Sequence, residues 1–339
     1  MPKFKIVLSL TLLLCAVIPA LGRTWQPDTL IHAPGFQYTV INQPADYAGP
    51  VISTVIRKQA PRPSDVAVLY VHGFNDYFFQ SEEADNFVDQ GYSFYAVDLR
   101  KYGRSILPGQ KMFQVRNIRE YFQDIDSALS VITEDGYSKV ILMGHSTGGL
   151  TTSLYMAVKP SPVVRQLILN SPFLDWNLSK FNENFGVPAV CTLATFAPDF
   201  RISQGGGNAY AQSLLKKYHG RWNYDTSLKL EHSPDVDAGW INAINTAQHT
   251  LHAMMFPIGV PILLIHSARS VNSPDWIPES DSADGVLDVQ DINRDGAMLG
   301  SEVTIFTVNG GLHDIFLSAP QVTKPVYDLM FDWIKLKMW

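Results

Sequence analysis

Along this chain, short runs of consecutive apolar residues alternate with longer segments in which apolar residues recur every three to four positions. Residues 66–71 form one such run, ending at His72-Gly73, and residues 92–97 form another, ending at Asp98. Residues 140–143 and 261–265 continue the series, and residues 164–169 and 303–308, though interrupted by polar residues, also read as strands. Strands buried on both faces of a parallel sheet read this way, because neither face needs a polar residue. Between them, residues 117–132 carry Ile118, Tyr121, Phe122, Ile125, Leu129 and Ile132 at helical spacing. Residues 149–158 read as a second helix, and residues 320–336 close the chain as an amphipathic third. Ahead of these, residues 36–41 and 51–57 read as two β runs, with Pro44, Gly49 and Pro50 between them as in a hairpin loop.

Strands alternating with helices predict an α/β fold with a mostly parallel central sheet flanked by helices. The alternation breaks between about Pro172 and Pro257. That stretch is rich in Phe, Trp, Asn and Gly and is too long for a plain loop, so it reads as an inserted lid with its own helices. The expected organisation is a signal peptide over residues 1–22, a core over 23–172 and 258–339, and an inserted lid, or cap, over 173–257.

The start of the chain has a different pattern. Lys3 and Lys5 precede an apolar stretch, residues 6–21, that carries no charge, and Ala20-Leu21-Gly22 supplies small residues where a signal peptidase reads. The stretch is short of the roughly 20 residues of a spanning helix. A secreted or periplasmic protein is the expectation. Only Cys191 would remain after cleavage, because Cys15 lies inside the stretch, so no internal disulfide is expected. The net charge of −6 and the lack of any long basic run argue against nucleic acid as a partner.

Against that frame of elements, Gly144-His145-Ser146-Thr147-Gly148 falls between a short apolar strand and a helix. It matches the G-x-S-x-G turn that presents a nucleophilic serine. Small flanks are needed because the turn is tight, and the helix that follows aims its N-terminus at the developing negative charge. Ser146 is therefore the candidate nucleophile. Backbone N–H donors must converge on the oxyanion. Thr147, just after the serine, and Phe74, in the His72-Gly73-Phe74-Asn75 turn, are the expected pair, with His72 holding the turn. His313, in Gly310-Gly311-Leu312-His313 after the last strand, is the candidate general base. The acid should follow the strand at 261–265. Asp275, Asp281, Asp284 and Asp288 all qualify; Asp284, ahead of Val286-Leu287, is preferred and Asp288 is next. Asp291, Asn293, Asp295, Gly296 and Glu302 have the spacing of a calcium loop. Leu299 and the strand that follows do not suit one, and no metal or cofactor is expected.

These segments together resemble the α/β-hydrolase superfamily, in the branch of monoacylglycerol lipases, lysophospholipases and the serine aminopeptidase group. The resemblance rests on residues 71–74, on Val97-Asp98-Leu99-Arg100 with Tyr102-Gly103-Arg104-Ser105, on residues 144–149 and on residues 311–314. It implies a structural role for the Asp98 segment and an acyl-enzyme mechanism on a small-molecule or lipid ester. It departs at the acid loop, where the family's aspartate lies closer to the strand end. Lid aromatics such as Phe173, Trp176, Phe181, Phe185 and Phe196 suit an acyl chain and peripheral contact with a lipid surface. An exopeptidase would instead need a lid carboxylate, Glu183 or Asp199, to grip an amine. A non-catalytic binding protein on the same scaffold is the third reading.

Overall fold

The computed structural model describes residues 23–205 and 207–338; the expected signal peptide lies outside them. Its strands are β1 (Gln26–Pro27), β2 (Gln37–Asp46), β3 (Gly49–Lys58), β4 (Val66–Val71), β5 (Ser93–Asp98), β6 (Lys139–His145), β7 (Val164–Asn170), β8 (Arg201–Ile202), β9 (Val236–Asp237), β10 (Ile262–Ser267) and β11 (Val303–Val308). The helices are α1 (Ser81–Asp89), α2 (Tyr121–Glu134), α3 (Thr147–Val158), α4 (Val187–Ala194), α5 (Ala209–Leu214), α6 (Ala238–His252), α7 (Val289–Gly296) and α8 (Pro320–Lys337).

Nine strands form one sheet in the order β1-β2-β3-β5-β4-β6-β7-β10-β11. The first three strands and the junction of β3 with β5 are antiparallel. From β5 to β11 every pairing is parallel. Every residue of β4, β5 and β10 is buried, which accounts for their unbroken apolar runs. Along β4 the side chains alternate between the two faces. Ala67, Leu69 and Val71 join a core with α2, α3 and α6. Val66, Val68 and Tyr70 join the opposite core with α1 and α8. Because β4 has β5 on one side and β6 on the other, the strand order reverses there. A crevice opens at the carboxyl ends of β4 and β6, the usual place for a ligand in such sheets.

Between β7 and β10 the chain leaves the sheet. A π-helical turn at Asn182–Gly186 runs into α4, β8 pairs with β9 as a two-stranded ribbon, and α5 and α6 complete the insert. Two expectations need correction. The hairpin turn is at Tyr47-Ala48, with Pro44 inside β2. The register shifts between Gln43 and Asp46, and this irregularity accommodates a residue that has no N–H to donate. The helix expected from Asn117 begins as a 3-10 turn at Ile118–Glu120, and α2 proper starts at Tyr121. The calcium-loop pattern, which was not expected to bind a metal, has its first half in helix α7, with Asp291 and Asp295 paired to Arg294. Among the described residues no group of three or more His, Cys, Asp or Glu side chains is placed to hold a metal ion.

Candidate active site

Strand β6 hands the chain to α3 through Ser146, whose backbone lies at φ 53° and ψ −118°. An L-residue held there costs about 1–3 kcal/mol, so the surroundings must enforce it. The Ser146 N–H donates to the Asn170 carbonyl at 3.0 Å, and its own carbonyl accepts from Leu150 and Phe173 N–H groups at 3.1 and 3.0 Å. The flanking glycines are dictated by close approach. A Cβ at Gly148 would sit 2.2 Å from the Val71 carbonyl oxygen and 2.4 Å from that of His72. One at Gly144 would sit 2.6 Å from the Gly148 carbonyl oxygen. The serine turn and the end of β4 are thus packed backbone to backbone. Thr147 opens α3, so its N–H is a first-turn donor with no helical acceptor.

The loop after β4 runs against this turn, since a Cβ at Gly73 would lie 2.9 Å from the Ser146 Cβ. His72 is buried and holds the loop start. Its Nε2 accepts from the Leu99 N–H at 3.0 Å, and its Nδ1 donates to the Gly73 carbonyl at 2.8 Å. Burial holds its pKa below the usual histidine range, which keeps the ring neutral and suits that pair of bonds. Asp98 secures the far side. Its Oδ1 accepts from the Phe78 N–H at 2.9 Å, and its Oδ2 accepts from the Arg104 N–H and Nη1, both at 2.8 Å.

His313 follows β11 and is 2% exposed. Its Nδ1 lies 2.9 Å from Asp284 Oδ2. Asp284 is fully buried, and its Oδ1 accepts from the Val286 and Leu287 N–H groups at 2.8 Å each. The other acids of that loop lie elsewhere: Asp288 caps α7 by accepting from the Gln290 N–H at 2.9 Å, and Asp281 accepts from Trp276 Nε1 at 2.8 Å. Asp275 offers its carbonyl to the Ser273 hydroxyl. The insertion in the acid loop is folded back by paired backbone bonds, Val271 N–H to the Asp284 carbonyl and Asp284 N–H to the Arg269 carbonyl.

Ser146, His313, Thr147 and Phe74 line one cavity of about 320 Å³. Part of its lining is aromatic: Phe74 packs on Trp240 with ring centroids 4.7 Å apart, and Trp176 packs on Phe173 at 5.2 Å. Polar lining residues include Gln204, Asn208, Lys229, Glu231 and Ser233. Glu183 and Asp199 do not line it: Glu183 pairs with Lys180, and Asp199 with Arg116. The sequence reading missed Asn75, Asp76 and Lys229. Asn75 and Lys229 line the cavity, and Asp76 pairs with Lys229 at 3.0 Å. No periodicity links Lys229 to a loop 153 positions earlier.

A mostly parallel sheet wrapped by helices, with a glycine-flanked serine at the β6–α3 turn, defines an α/β-hydrolase. The family model described as serine aminopeptidase, S33, matches residues 62–317, and the chain belongs to that family. A soluble variant of monoglyceride lipase from Saccharomyces cerevisiae, in complex with a substrate analog, has a TM-score of 0.63 at 18% identity, covering 87% of this chain and 94% of that one. Monoacylglycerol lipase of Paleococcus ferrophilus has a TM-score of 0.58 at 21% identity, covering 82% and 97%. At these identities the likeness concerns the fold. Among curated proteins, mouse epoxide hydrolase 4 is 28% identical over 31% of this chain and 28% of its own length. The probable lysophospholipase BODYGUARD 2 of Arabidopsis thaliana is 30% identical over 35% of this chain and 26% of its own. The chain thus spans less than half the length of the curated relatives it matches.

Proposed function

We propose that this protein is an exported serine hydrolase that cleaves carboxylic esters of lipids or small alcohols. The observation that carries this reading is the strained Ser146 in one cavity with a His313 that is bonded to a buried Asp284. In the proposed reaction, Ser146 attacks the acyl carbonyl while His313 Nε2 takes its proton. Asp284 keeps the Nδ1 proton in place and stabilises the imidazolium. The Phe74 and Thr147 N–H groups hold the oxyanion, His313 returns the proton to the leaving alcohol, and water then cleaves the acyl-enzyme. The aromatic lining would take the acyl chain and the polar lining the alcohol. Export would use residues 1–22 as a signal peptide. Exposed Phe181 and Phe185 at the insert would meet the lipid surface that presents the substrate. The lysophospholipase and monoglyceride lipase relatives fit this substrate class.

The exopeptidase reading lacks support from the carboxylates it requires. Glu231, the carboxylate that does line the cavity, is already bonded to Lys217 and Tyr218. Hydrolysis of p-nitrophenyl esters from acetate to palmitate tests the proposal. Wild type should turn over, Ser146→Ala should be inert, and Asp284→Asn should lose about 10³–10⁴-fold in kcat. Full activity in Asp284→Asn would remove Asp284 from the mechanism. Cleavage of amino-acid p-nitroanilides in preference to esters would replace the ester reading with the peptidase one.

A further inference from the structure

Four of the five residues after Phe74 are gripped by the inserted segment. Asn75 spends both ends of its amide on one residue: Nδ2 donates to the Leu230 carbonyl at 2.9 Å, and Oδ1 accepts from the Leu230 N–H at 2.7 Å. Its φ is +49°, a left-handed conformation that this double bond helps to hold. Asp76 Oδ1 accepts from Lys229 Nζ at 3.0 Å. The Tyr77 hydroxyl accepts from the Asp225 N–H at 2.8 Å. Phe79 packs on Tyr224 and Trp222, with centroids 5.0 and 6.1 Å away.

The Lys229–Asp76 pair is almost fully withdrawn from water, with side chains 6% and 1% exposed. The ammonium lies 5.7 to 5.9 Å from the rings of Tyr210, Tyr224 and Phe79. Burial works against the Asp76 carboxylate, but Lys229 and the neighbouring His145 overcome it and hold Asp76 well below the usual range. A buried pair of this kind adds little net stability, whereas losing one partner is costly. It is better suited to fixing a geometry.

The geometry in question is that of the loop carrying the candidate oxyanion donor. An oxyanion hole works only if its N–H groups already point where the charge will form. On the near side the loop is held by His72 and the backbone of the serine turn, both part of the core. On the far side it is held by the insert, one residue past Phe74, and further along by Asp98 of the core at Phe78. We propose that Lys229 and Asn75 are positioning residues for the oxyanion hole, so that the inserted segment, not the core alone, aims the Phe74 N–H. The proposal rests on the serine-hydrolase reading above.

The test compares wild type with Lys229→Met, Lys229→Arg, the charge-free pair Asp76→Asn with Lys229→Met, and Asn75→Gly. The paired variant avoids stranding a buried charge. Asn75→Gly keeps the positive φ while removing both bonds to Leu230. Rates on p-nitrophenyl butyrate are expressed per active site titrated with a fluorophosphonate. The paired variant and Asn75→Gly should each lose about 10- to 100-fold in kcat, with KM within about threefold, because the donor matters only when charge develops. The inhibition constant for butylboronic acid, which forms a tetrahedral adduct on the serine, should rise in proportion, and Lys229→Arg should recover part of the loss. Unchanged kcat in Asn75→Gly and the paired variant overturns the proposal. So does a rise in KM alone, which makes Lys229 a substrate contact, or a fall in kcat with boronate affinity unchanged. A wild type inert to esters and fluorophosphonate would instead bring down the hydrolase reading itself.

Discussion

At the scale of single residues, several groups are kept in states they would not choose in water. Ser146 occupies a strained backbone conformation, and Lys229 has left solvent for a single carboxylate. Glu83 is the third case and has no such partner. It sits on α1, fully buried, and neither carboxylate oxygen has a hydrogen-bond partner among the described residues. Burial raises its pKa well above the usual 4.5, and the nearby Asp314 and Asp76 carboxylates raise it further. Glu83 is therefore protonated in the folded protein at pH values where the unfolded chain has released that proton. Its contribution to stability is whole below about pH 4.5 and is lost as pH rises from there toward the raised folded value. Glu83→Gln imitates the protonated form and removes the linkage. Thermal unfolding should show the variant melting a few degrees higher than wild type at pH 8, with the gap closing by pH 4. A gap independent of pH would mean that Glu83 is not neutral in the fold.

At the scale of elements, the acid loop shows how one helix and one candidate catalytic position share a short stretch of chain. Asp284 turns inward to His313, and Asp288, four residues later, turns along the chain to cap α7. Asp288→Ala should cost about 1 kcal/mol through the lost cap, a fall of ~2–4 °C in melting temperature, and leave kcat unchanged. Melting curves beside ester kinetics separate this from Asp284→Asn, where kcat should collapse. Both acids were legible in the sequence as candidates, because an apolar pair follows Asp284 and fixes the loop. Strand 66–71 was legible to the residue as a short continuous apolar run bounded by turn residues, and strand 303–308 as a run of β-branched and aromatic residues. Helices α1 and α7 were not. Each is short, and α7 is dominated by Asp, Asn, Gln and Arg, letters that a calcium loop shares. The grip of Lys229 and Leu230 on Asn75 and Asp76 was invisible for a different reason. It joins two irregular segments that only tertiary folding brings together.

At the scale of the whole molecule, the insert divides into a part that is anchored and a part that meets solvent. Residues 222–230 are bonded along the loop after β4, so this side of the cavity is fixed to the core. Elsewhere in the insert, Leu178 lines the cavity and is 43% exposed, followed in sequence by Phe181 and Phe185 at 71% and 65%. The two phenylalanine rings lie against each other, 5.5 Å apart. Paired, exposed apolar rings gain little from water and much from a lipid interface. The chain is acidic overall, at −6, so charge gives no attraction to an anionic membrane. Binding driven by apolar area alone should therefore be at least as strong on phosphatidylcholine vesicles as on vesicles containing phosphatidylserine. Burying one Phe is worth about 1.5–3 kcal/mol, so Phe181→Ser with Phe185→Ser should weaken vesicle co-sedimentation by at least ~10-fold. Activity on a soluble short-chain ester should stay intact, because neither ring lines the cavity. Equal losses on soluble ester and vesicle-borne substrate would place these rings in the fold of the insert instead of at a lipid interface.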